Sequence, residues 1–550
     1  MTRPACALAL VLVLRWPPQP AVAQVSGAPD PWPGPAATAF TGAWSPFAIP
    51  GDLPRPAPAA PALAPGLTAT PRVGLFWTGG NPAALAFEVE EARADFHLGR
   101  ANASGDHRRP LDPPHQQDAL LRMSAWGPVE DRSAMIGRVR FDRALLEPAH
   151  SSYAVPPYGS SPFVVVDTSR SDVTHTTAAL EGAAGWRLGR FGLGLALGYA
   201  ASTGRTVAAA VPRRTQVSAP AATLGLGRDF HGGALRAGLT FRWTGRAETI
   251  RINAFGADTD VFVLDGYREP EVIQLIAPRA FYRRIERAGA GAGAGLAGRA
   301  GPWRWALQGE AARHGERQWG RQVNDPPRDT WDADALRVVA GVQRPVGGRT
   351  LTLHGQWVGL SGTAARPVTE EDSGGVSLRA DENAFLAAAE LRQPLAPAGW
   401  GGALRLTAGY TAHDRADPRT DVSLDLQTLV TGAAVQADGR IASRLLLSGG
   451  LAVSRHQGRG VVPHPESLGP VVGDLLYGEV ALHAAAATPW ALAGSATFEL
   501  RQDVRLWLAS RYARRSPAEP LHHPFRPMDR ASRSEWGITL GASLGPLDGR

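Results

Sequence analysis

Hydrophobic and polar residues alternate strictly along most of this chain. In residues 191–199 every second residue is large and apolar, and the residues between them are glycine or alanine. The segment that begins at Leu235 repeats the pattern and places Arg236 on the face opposite Phe241. A period of two is typical of a β-strand whose two faces meet different environments. The alternation predicts an all-β chain from about Leu85 to the carboxyl end.

Two features of the predicted strands favour a membrane barrel over a soluble β-sandwich. The alternating segments run to about ten residues or more, whereas strands of soluble proteins usually have about five or six. Aromatic residues such as Trp243 and Tyr410 lie near the ends of the apolar face, where a membrane interface would hold them. The sequence therefore predicts a transmembrane, antiparallel, up-and-down β-barrel of about 16–20 strands.

Short and long connections alternate between the predicted strands, as periplasmic turns and outer loops do in such barrels. Short turns are predicted at 188–190, 230–232, 300–302, 347–348, 437–439 and 501–503. Long loops are predicted at 144–173, 246–280, 314–333, 362–383, 455–473 and 514–532. This order puts the carboxyl terminus in the periplasm. Residues 475–487 and 490–500 both look like strands and break the parity, so one is a loop hairpin or the two form one bent strand.

The amino terminus has the features of a secretory signal. Arg3 provides the positive charge, residues 7–14 the apolar run, and residues 21–23 (Ala-Val-Ala) the small-residue cleavage site. The only cysteine, Cys6, lies within this segment, so the mature chain is predicted to lack thiols. The predicted organisation is 1–23 signal peptide, 24–74 Pro/Ala-rich leader that is disordered or associated with the lumen, and 75–550 outer-membrane β-barrel.

Composition agrees with an exported barrel. The mean hydropathy is −0.15, which is too polar for a helical membrane protein. Beyond the first fourteen residues no apolar run approaches the ~18 residues that a membrane-spanning helix needs. The net charge of +7 could indicate nucleic-acid binding, but the arginines are spread along alternating strands of an exported chain. We therefore expect the bacterial outer membrane as the location, its lipid as a partner, and no nucleic acid.

Motifs that could carry chemistry are weak. His522 and His523 are adjacent, so on a strand they point to opposite faces, and no carboxylate lies at ligand spacing. Asp258, Asp260 and Asp265 lack the rest of a calcium loop and indicate an acidic outer loop. Serine-hydrolase, zinc-protease and phosphate-loop motifs do not occur. The sequence predicts no catalytic residue, no cofactor and no metal.

Glycine and arginine mark the face opposite the apolar one. The alternating run 288–295 is better interpreted as a strand with alanine outward and glycine inward than as a flexible linker, and such a wall leaves room for a loop or the leader. Arginine costs ~2–4 kcal/mol on the lipid face near the bilayer midplane, so charged strand residues are predicted to line the lumen. The candidates are Arg236, Arg242, Arg304, Glu310, Arg405, Arg444, Arg505 and Arg511. They either pair with inward acids such as Glu310 and Glu390, the preferred interpretation, or form a positive pathway for anions.

Several motifs carry a family resemblance. Residues 77–85 (WTGGNPAAL) resemble the entry that precedes the first strand in many outer-membrane barrels, including fatty-acid transporters of the FadL type. Further on come the segments 137–141 (GRVRF), 161–167 (SPFVVVD), 186–189 (WRLG) and 197–201 (LGYAA). In this order they resemble a family of uncharacterised bacterial outer-membrane β-barrel proteins that carry a domain of unknown function. The resemblance implies the fold and the location and transfers no catalytic residue.

The function predicted first is a non-enzymatic channel or transport-accessory protein, with an outer-membrane transport partner as a further candidate. The alternatives are an outer-membrane barrel enzyme of the lipase or protease type, with a triad assembled in space, and a surface adhesin or scaffold. The oligomeric state stays open.

Overall fold

The fold was analysed in a computed structural model. It describes residues 73–106, 113–152, 163–206, 211–254, 258–265, 271–277, 279–320, 329–366, 375–393, 399–420, 422–461, 480, 486–501, 503–517 and 532–545. The predicted signal peptide, nearly all of the predicted leader and the pair His522–His523 lie outside these ranges.

Within those ranges twenty strands form one antiparallel sheet, and eighteen of them close into a barrel. The first strand, β1, pairs with the last, β20, along its length, which closes the wall. The strand bounds are β1 Arg93–Gly105, β2 His115–Glu130, β3 Ser133–Ser152, β4 Phe163–Leu188, β5 Phe191–Thr206, β6 Arg213–Phe230, β7 Leu235–Asn253, β8 Thr259–Asp265, β9 Glu271–Leu275, β10 Ala280–Ala300, β11 Trp303–Trp319, β12 Asp329–Val346, β13 Arg349–Arg366, β14 Gly375–Gln393, β15 Trp400–Asp417, β16 Val422–Ala442, β17 Leu445–Val461, β18 Trp490–Arg501, β19 Val504–Arg515 and β20 Arg533–Leu544. The predicted fold class and strand number are confirmed.

The outer face of the barrel is apolar and exposed, the reverse of a soluble protein. Phe191, Trp243 and Leu540 are 54%, 48% and 53% exposed, and the residues that alternate with them face inward. A closed barrel satisfies its backbone hydrogen bonds between strands, so it can present such a face to lipid. The protein therefore lies in the bacterial outer membrane.

The short turns gather at one end, where β1 begins and β20 ends, and this is the periplasmic end. One predicted turn, at 437–439, is wrong. These residues pair with β15 inside strand β16, because Asp438 accepts a hydrogen bond from Gln436 on the inner face instead of turning out to water. The first strand also begins later than predicted, since Leu85–Glu88 is helical and β1 starts at Arg93.

The parity problem near residue 490 is resolved in part. Residues 490–501 form the wall strand β18, which pairs with β17 and β19. Ala487 continues the pairing through its hydrogen bonds with His456. Of the other candidate strand only residues 480, 486 and 487 are described, and the rest of it lies outside the described ranges.

Strands β8 and β9 form a hairpin that is not part of the wall, because β7 pairs directly with β10. Val261 and Val263 of β8 are buried with Ile250 and Ile252 of β7. Phe262, on the opposite face of β8, packs on a second apolar cluster. That cluster consists of Trp331, Ala333, Leu360, Ala364, Leu378, Ala380, Val422, Leu424 and Leu426 on β12, β13, β14 and β16. The hairpin thus joins the inner wall on its own side to an apolar cluster on other strands, in the outer half of the barrel.

Candidate functional site in the barrel lumen

Residues 73–89, called the lumen segment below, fold inside the periplasmic end of the barrel. The lumen segment contains helix α1 (Leu75–Gly79), a 3-10 turn (Pro82–Ala84) and helix α2 (Leu85–Glu88). It contacts the neighbouring strands β3 to β7 and β10 to β12. Because these strands are neighbours in the wall, the segment occupies one side of the lumen. In the part of the chain that the structure describes, no helix is long and apolar enough to cross a membrane.

Asn81 fixes the lumen segment to the wall. Its Nδ2 donates hydrogen bonds to the carbonyl oxygens of Leu226 on β6 and Leu239 on β7, both at 3.2 Å. Its Oδ1 accepts a hydrogen bond from the N–H of Ala83 at 3.0 Å and so caps the 3-10 turn. One buried amide therefore holds the local fold of the segment and its position together.

Five wall glycines, called the glycine seat below, make this approach possible. A Cβ atom at Gly194 would lie 2.2 Å from the backbone nitrogen of Ala83, closer than atoms can approach. A Cβ at Gly225 or Gly238 would meet the Asn81 amide at 2.3 Å. The complete seat is Gly185, Gly192, Gly194, Gly225 and Gly238. Because these positions have no side chain, the lumen segment lies directly on the backbone of the wall.

Glu88 closes the lumen segment on itself. Its carboxylate accepts hydrogen bonds from the N–H groups of Leu75 at 2.8 Å and Phe76 at 3.1 Å, which are free at the start of α1. Arg236 on β7 lies 3.9 Å from the same carboxylate. Burial raises the pKa of Glu88 above its ordinary 4.5, although Arg236 and these amides act in the opposite direction. The ionisation of Glu88 therefore depends on whether the segment is buried against the wall.

Beyond the lumen segment, toward the outer half, lies an ion-pair cluster at mid-wall. Arg242 lies 3.3 Å from Glu310, and both side chains are 5% exposed. Arg337 lies 3.9 Å from the other oxygen of Glu310. Gln308, the next inward residue on β11, reaches the lumen segment at Gly79. We call Arg242, Glu310 and Arg337 the arginine cluster.

The structure brings together some of the predicted lumen residues and separates others. Arg505 lies 3.6 Å from Glu499, and Arg405 pairs with Glu390 in the register of β14 and β15. Arg304 is exposed at the short-turn end of β11, and Arg511 lies on the inner face of β19.

The prediction that Arg444 lines the lumen is wrong. Arg444 lies exposed in the turn between β16 and β17, and not on an inward strand position. The reason is that β16 extends to Ala442, past the turn predicted at 437–439.

Sequence reasoning missed Arg337, which pairs with Glu310. It also missed Asp229 and Glu88, which each lie 3.9 Å from Arg236. Arg337 alternates with outward Leu336 and could have been found by the same period of two. The run 288–295 is part of β10, with its glycines inward, and Leu75 packs against Gly295 as a wall without side chains allows. Asp258 accepts a hydrogen bond from the N–H of Ala277 and so holds the base of the hairpin.

Solved structures that match over more than four fifths of this chain include a transporter and two receptors. The copper transporter OprC has a TM-score of 0.36 and 8% identity, over 83% of this chain and 81% of that one. The siderophore receptor PiuA from Acinetobacter baumannii has 0.36 and 8%, over 81% of each chain. The ferric-catecholate import receptor Fiu from E. coli K12 has 0.37 and 9%, over 83% and 81%. No curated protein matches the chain. A family model described as "Family of unknown function (DUF6850)" matches residues 82–544.

Proposed function

We infer that this chain, which belongs to the family of unknown function DUF6850, is a gated transport protein of the outer membrane. The observation that carries the proposal is the lumen segment, which lies on the glycine seat inside a closed barrel. A wall built to receive a segment at backbone distance holds that segment in one defined position. Passage of a solute then depends on whether the segment stays there.

The attachment of the lumen segment suits a gate. The segment precedes β1 in the chain and adds no strand to the barrel. Its displacement therefore breaks no hydrogen bond between wall strands. Its polar attachments to the wall include the Asn81 amide and the weak pair of Glu88 with Arg236. The segment also buries Phe76 and Leu85 in an apolar cluster with wall residues. Release of the segment is a local opening, whose free-energy cost lies between zero and that of unfolding the whole barrel.

The proposal keeps the protein in the non-enzymatic class, since its chemistry is passage and not bond cleavage. Its partners would be outer-membrane lipid and, on the periplasmic side, a transport partner. Such a partner would act through the lumen segment.

A disulfide between the lumen segment and the wall tests the proposal. A Cβ at Gly227 lies 3.5 Å from the Cβ of Ala83, within the ~3.5–4.5 Å range of disulfides. We would purify the full chain with Ala83→Cys and Gly227→Cys and record conductance in planar bilayers over a series of urea concentrations below barrel unfolding. The two single-cysteine proteins are the matched controls.

Conductance is expected to rise with urea in the reduced double variant and in both controls, and to stay at its urea-free level after oxidation. Equal conductance before and after oxidation, or none at any urea concentration, would contradict the gate.

Gly194→Ala is expected to act in the opposite direction. Its methyl group would occupy the position of the Ala83 backbone, so the lumen segment cannot dock and conductance without urea should exceed that of the wild type. Gly309→Ala is the matched control, because a Cβ at Gly309 meets nothing within 4 Å. A silent Gly194→Ala barrel that still shows heat-modifiable mobility on gels would count against the proposal.

A further inference from the structure

The arginine cluster contains more positive than negative charge in a buried place. Arg242 and Arg337 share the single carboxylate of Glu310, and these are the charged groups that act on Arg337. Two guanidinium groups against one carboxylate leave an excess of one positive charge. A buried charge without a counter-charge is costly, so this arrangement is suited to a negative ligand.

The hydrogen-bonding atoms of the cluster point to the same conclusion. Nη1 of Arg337 faces Glu310, whereas Nε and Nη2 are buried and have no hydrogen-bond partner. Nε of Arg242, whose side chain is 5% exposed, also has no partner. The Nε and Nη2 atoms of an arginine form one edge of its planar group, and this edge binds two oxygens of one carboxylate or phosphate side by side.

The wall next to the cluster is kept clear of side chains. Arg242 pairs in register with Gly291 of β10, and Glu310 pairs with Gly293 of the same strand. The two charged side chains meet across β10 because these glycines leave the space between them open. A Cβ at Gly293 would lie 3.4 Å from the Cβ of Glu310 and 2.7 Å from the hydroxyl of Thr240. The cluster is therefore part of a shaped lumen surface and not a loose group of surface charges.

We propose that the Nε–Nη2 edge of Arg337, with Arg242 beside it, binds the oxyanion group of a small carboxylate or phosphate. This inference rests on the proposed transport function and names the class of its solute. Glu310 acts as the resident counter-charge: it holds the two arginines while the site is empty and gives way in part when the anion enters. An anion arriving from the outer side would meet this site before it reaches the lumen segment.

Binding can be measured on the full chain in detergent by isothermal titration. The probes are succinate, inorganic phosphate and neutral succinamide, so that the first two separate the carboxylate from the phosphate source of the same chemistry. At least one anion is expected to bind, and succinamide is not. Equal heats for all three probes would overturn the site.

Three variants test the roles within the cluster. Arg337→Lys keeps the charge and loses the planar edge, so affinity is expected to fall at least about tenfold. Glu310→Gln removes the competing carboxylate and is expected to tighten binding, a gain that misfolding cannot imitate. Arg304→Lys, at the exposed end of β11, is the matched control and should bind as the wild type does.

Unchanged affinity in Arg337→Lys, or weaker binding in Glu310→Gln, would refute the assignment. The readout is binding at equilibrium and not passage. Anion binding in a barrel that never conducts would leave this site standing and reject the gate, and conductance without anion binding would do the reverse.

Discussion

At the scale of single residues, Asn81 shows how a polar side chain can be buried in a lumen at little cost. Its amide makes three hydrogen bonds, two as a donor to adjacent wall strands and one as an acceptor within its own turn. The wall carbonyls are accessible because Gly225 and Gly238 lack side chains on either side of the amide. The two glycines therefore lie where the Nδ2 group of Asn81 needs access to the wall carbonyl oxygens.

Substitution of Asn81 should separate these two roles. Asn81→Asp keeps the cap for Ala83 but turns a carboxylate toward two carbonyl oxygens, whereas Asn81→Ala removes all three bonds. We expect both to weaken docking of the lumen segment, by about 1–3 kcal/mol for alanine and by more for aspartate. Hydrogen exchange of the amides in residues 75–88 measures the effect. Equal protection in aspartate and wild type would contradict the donor role.

Glu88 should make docking of the lumen segment depend on pH. The released segment has the ordinary pKa of 4.5, and burial raises the pKa of the docked form. Below 4.5 both forms are protonated and docking is strongest. As the pH rises through the raised pKa, the released form has already lost its proton, so docking weakens and then levels off.

Glu88→Gln is expected to remove this pH dependence, and the exposed Glu90→Gln serves as the matched control that keeps it. The measurement is hydrogen exchange of Leu75 and Phe76, corrected for the intrinsic effect of pH on exchange. Tighter docking at higher pH would show that the pair with Arg236 outweighs burial.

The period of two determines which candidate residues could be predicted from the sequence. Alternation places Arg242, Glu310 and Arg505 on strands, and the structure puts all three on the inner face. It fails for Arg444, since a turn ends the period and the end of a strand is poorly marked in sequence. Pairing partners such as Glu499 were not predictable, because register between strands depends on distant residues.

At the scale of elements, the β8–β9 hairpin is held by its two faces. One face shares its apolar contacts with β7, and the other contributes Phe262 to the cluster around Trp331 and Leu424. The hairpin is short and lies outside the barrel closure, but β8 also pairs antiparallel with wall strand β4. Its position therefore depends on this ladder together with the packing of its two faces.

Phe262→Ala should therefore loosen the hairpin and leave the barrel intact. The expected loss of docking free energy is about 1–3 kcal/mol, the scale for a large apolar side chain that is partly buried. Val272→Ala is the matched control, because Val272 pairs with Phe262 in register but is 56% exposed. Hydrogen exchange across residues 259–275 gives the comparison. Equal exchange in the two variants would show that Phe262 does not anchor the hairpin.

At the scale of the whole molecule, the exposed apolar face sets the position of the barrel in the membrane. Leu195 lies in the interior of strand β5, whereas Leu188 ends β4 at a periplasmic turn, and both face outward. Leu195→Arg is expected to cost ~2–4 kcal/mol of stability and Leu188→Arg about 0–1 kcal/mol, because the cost of arginine depends on depth. Guanidinium unfolding in lipid vesicles measures both. Equal costs would contradict this placement of the membrane.

The barrel itself could be predicted because every spanning strand repeats one local rule, and an error at one strand leaves the others unaffected. The lumen segment and the hairpin could not be placed in the same way. Their positions depend on contacts between residues far apart in sequence, such as Asn81 with Leu226, and Phe262 with the apolar cluster on β12, β13, β14 and β16. The sequence indicated a bare wall at 288–295 but not which part of the chain would fill the lumen.

The direct pairing of β7 with β10 has an evolutionary consequence. Since the wall closes without residues 254–279, insertions, deletions and exchanges there leave the ladder between Asn253 and Ala280 unchanged. Selection on barrel assembly and selection on the outer entrance can therefore act on separate stretches of the chain. Relatives should keep the flanking strands alike while this excursion diverges in length and character, which would let one scaffold serve bacteria that face different surroundings.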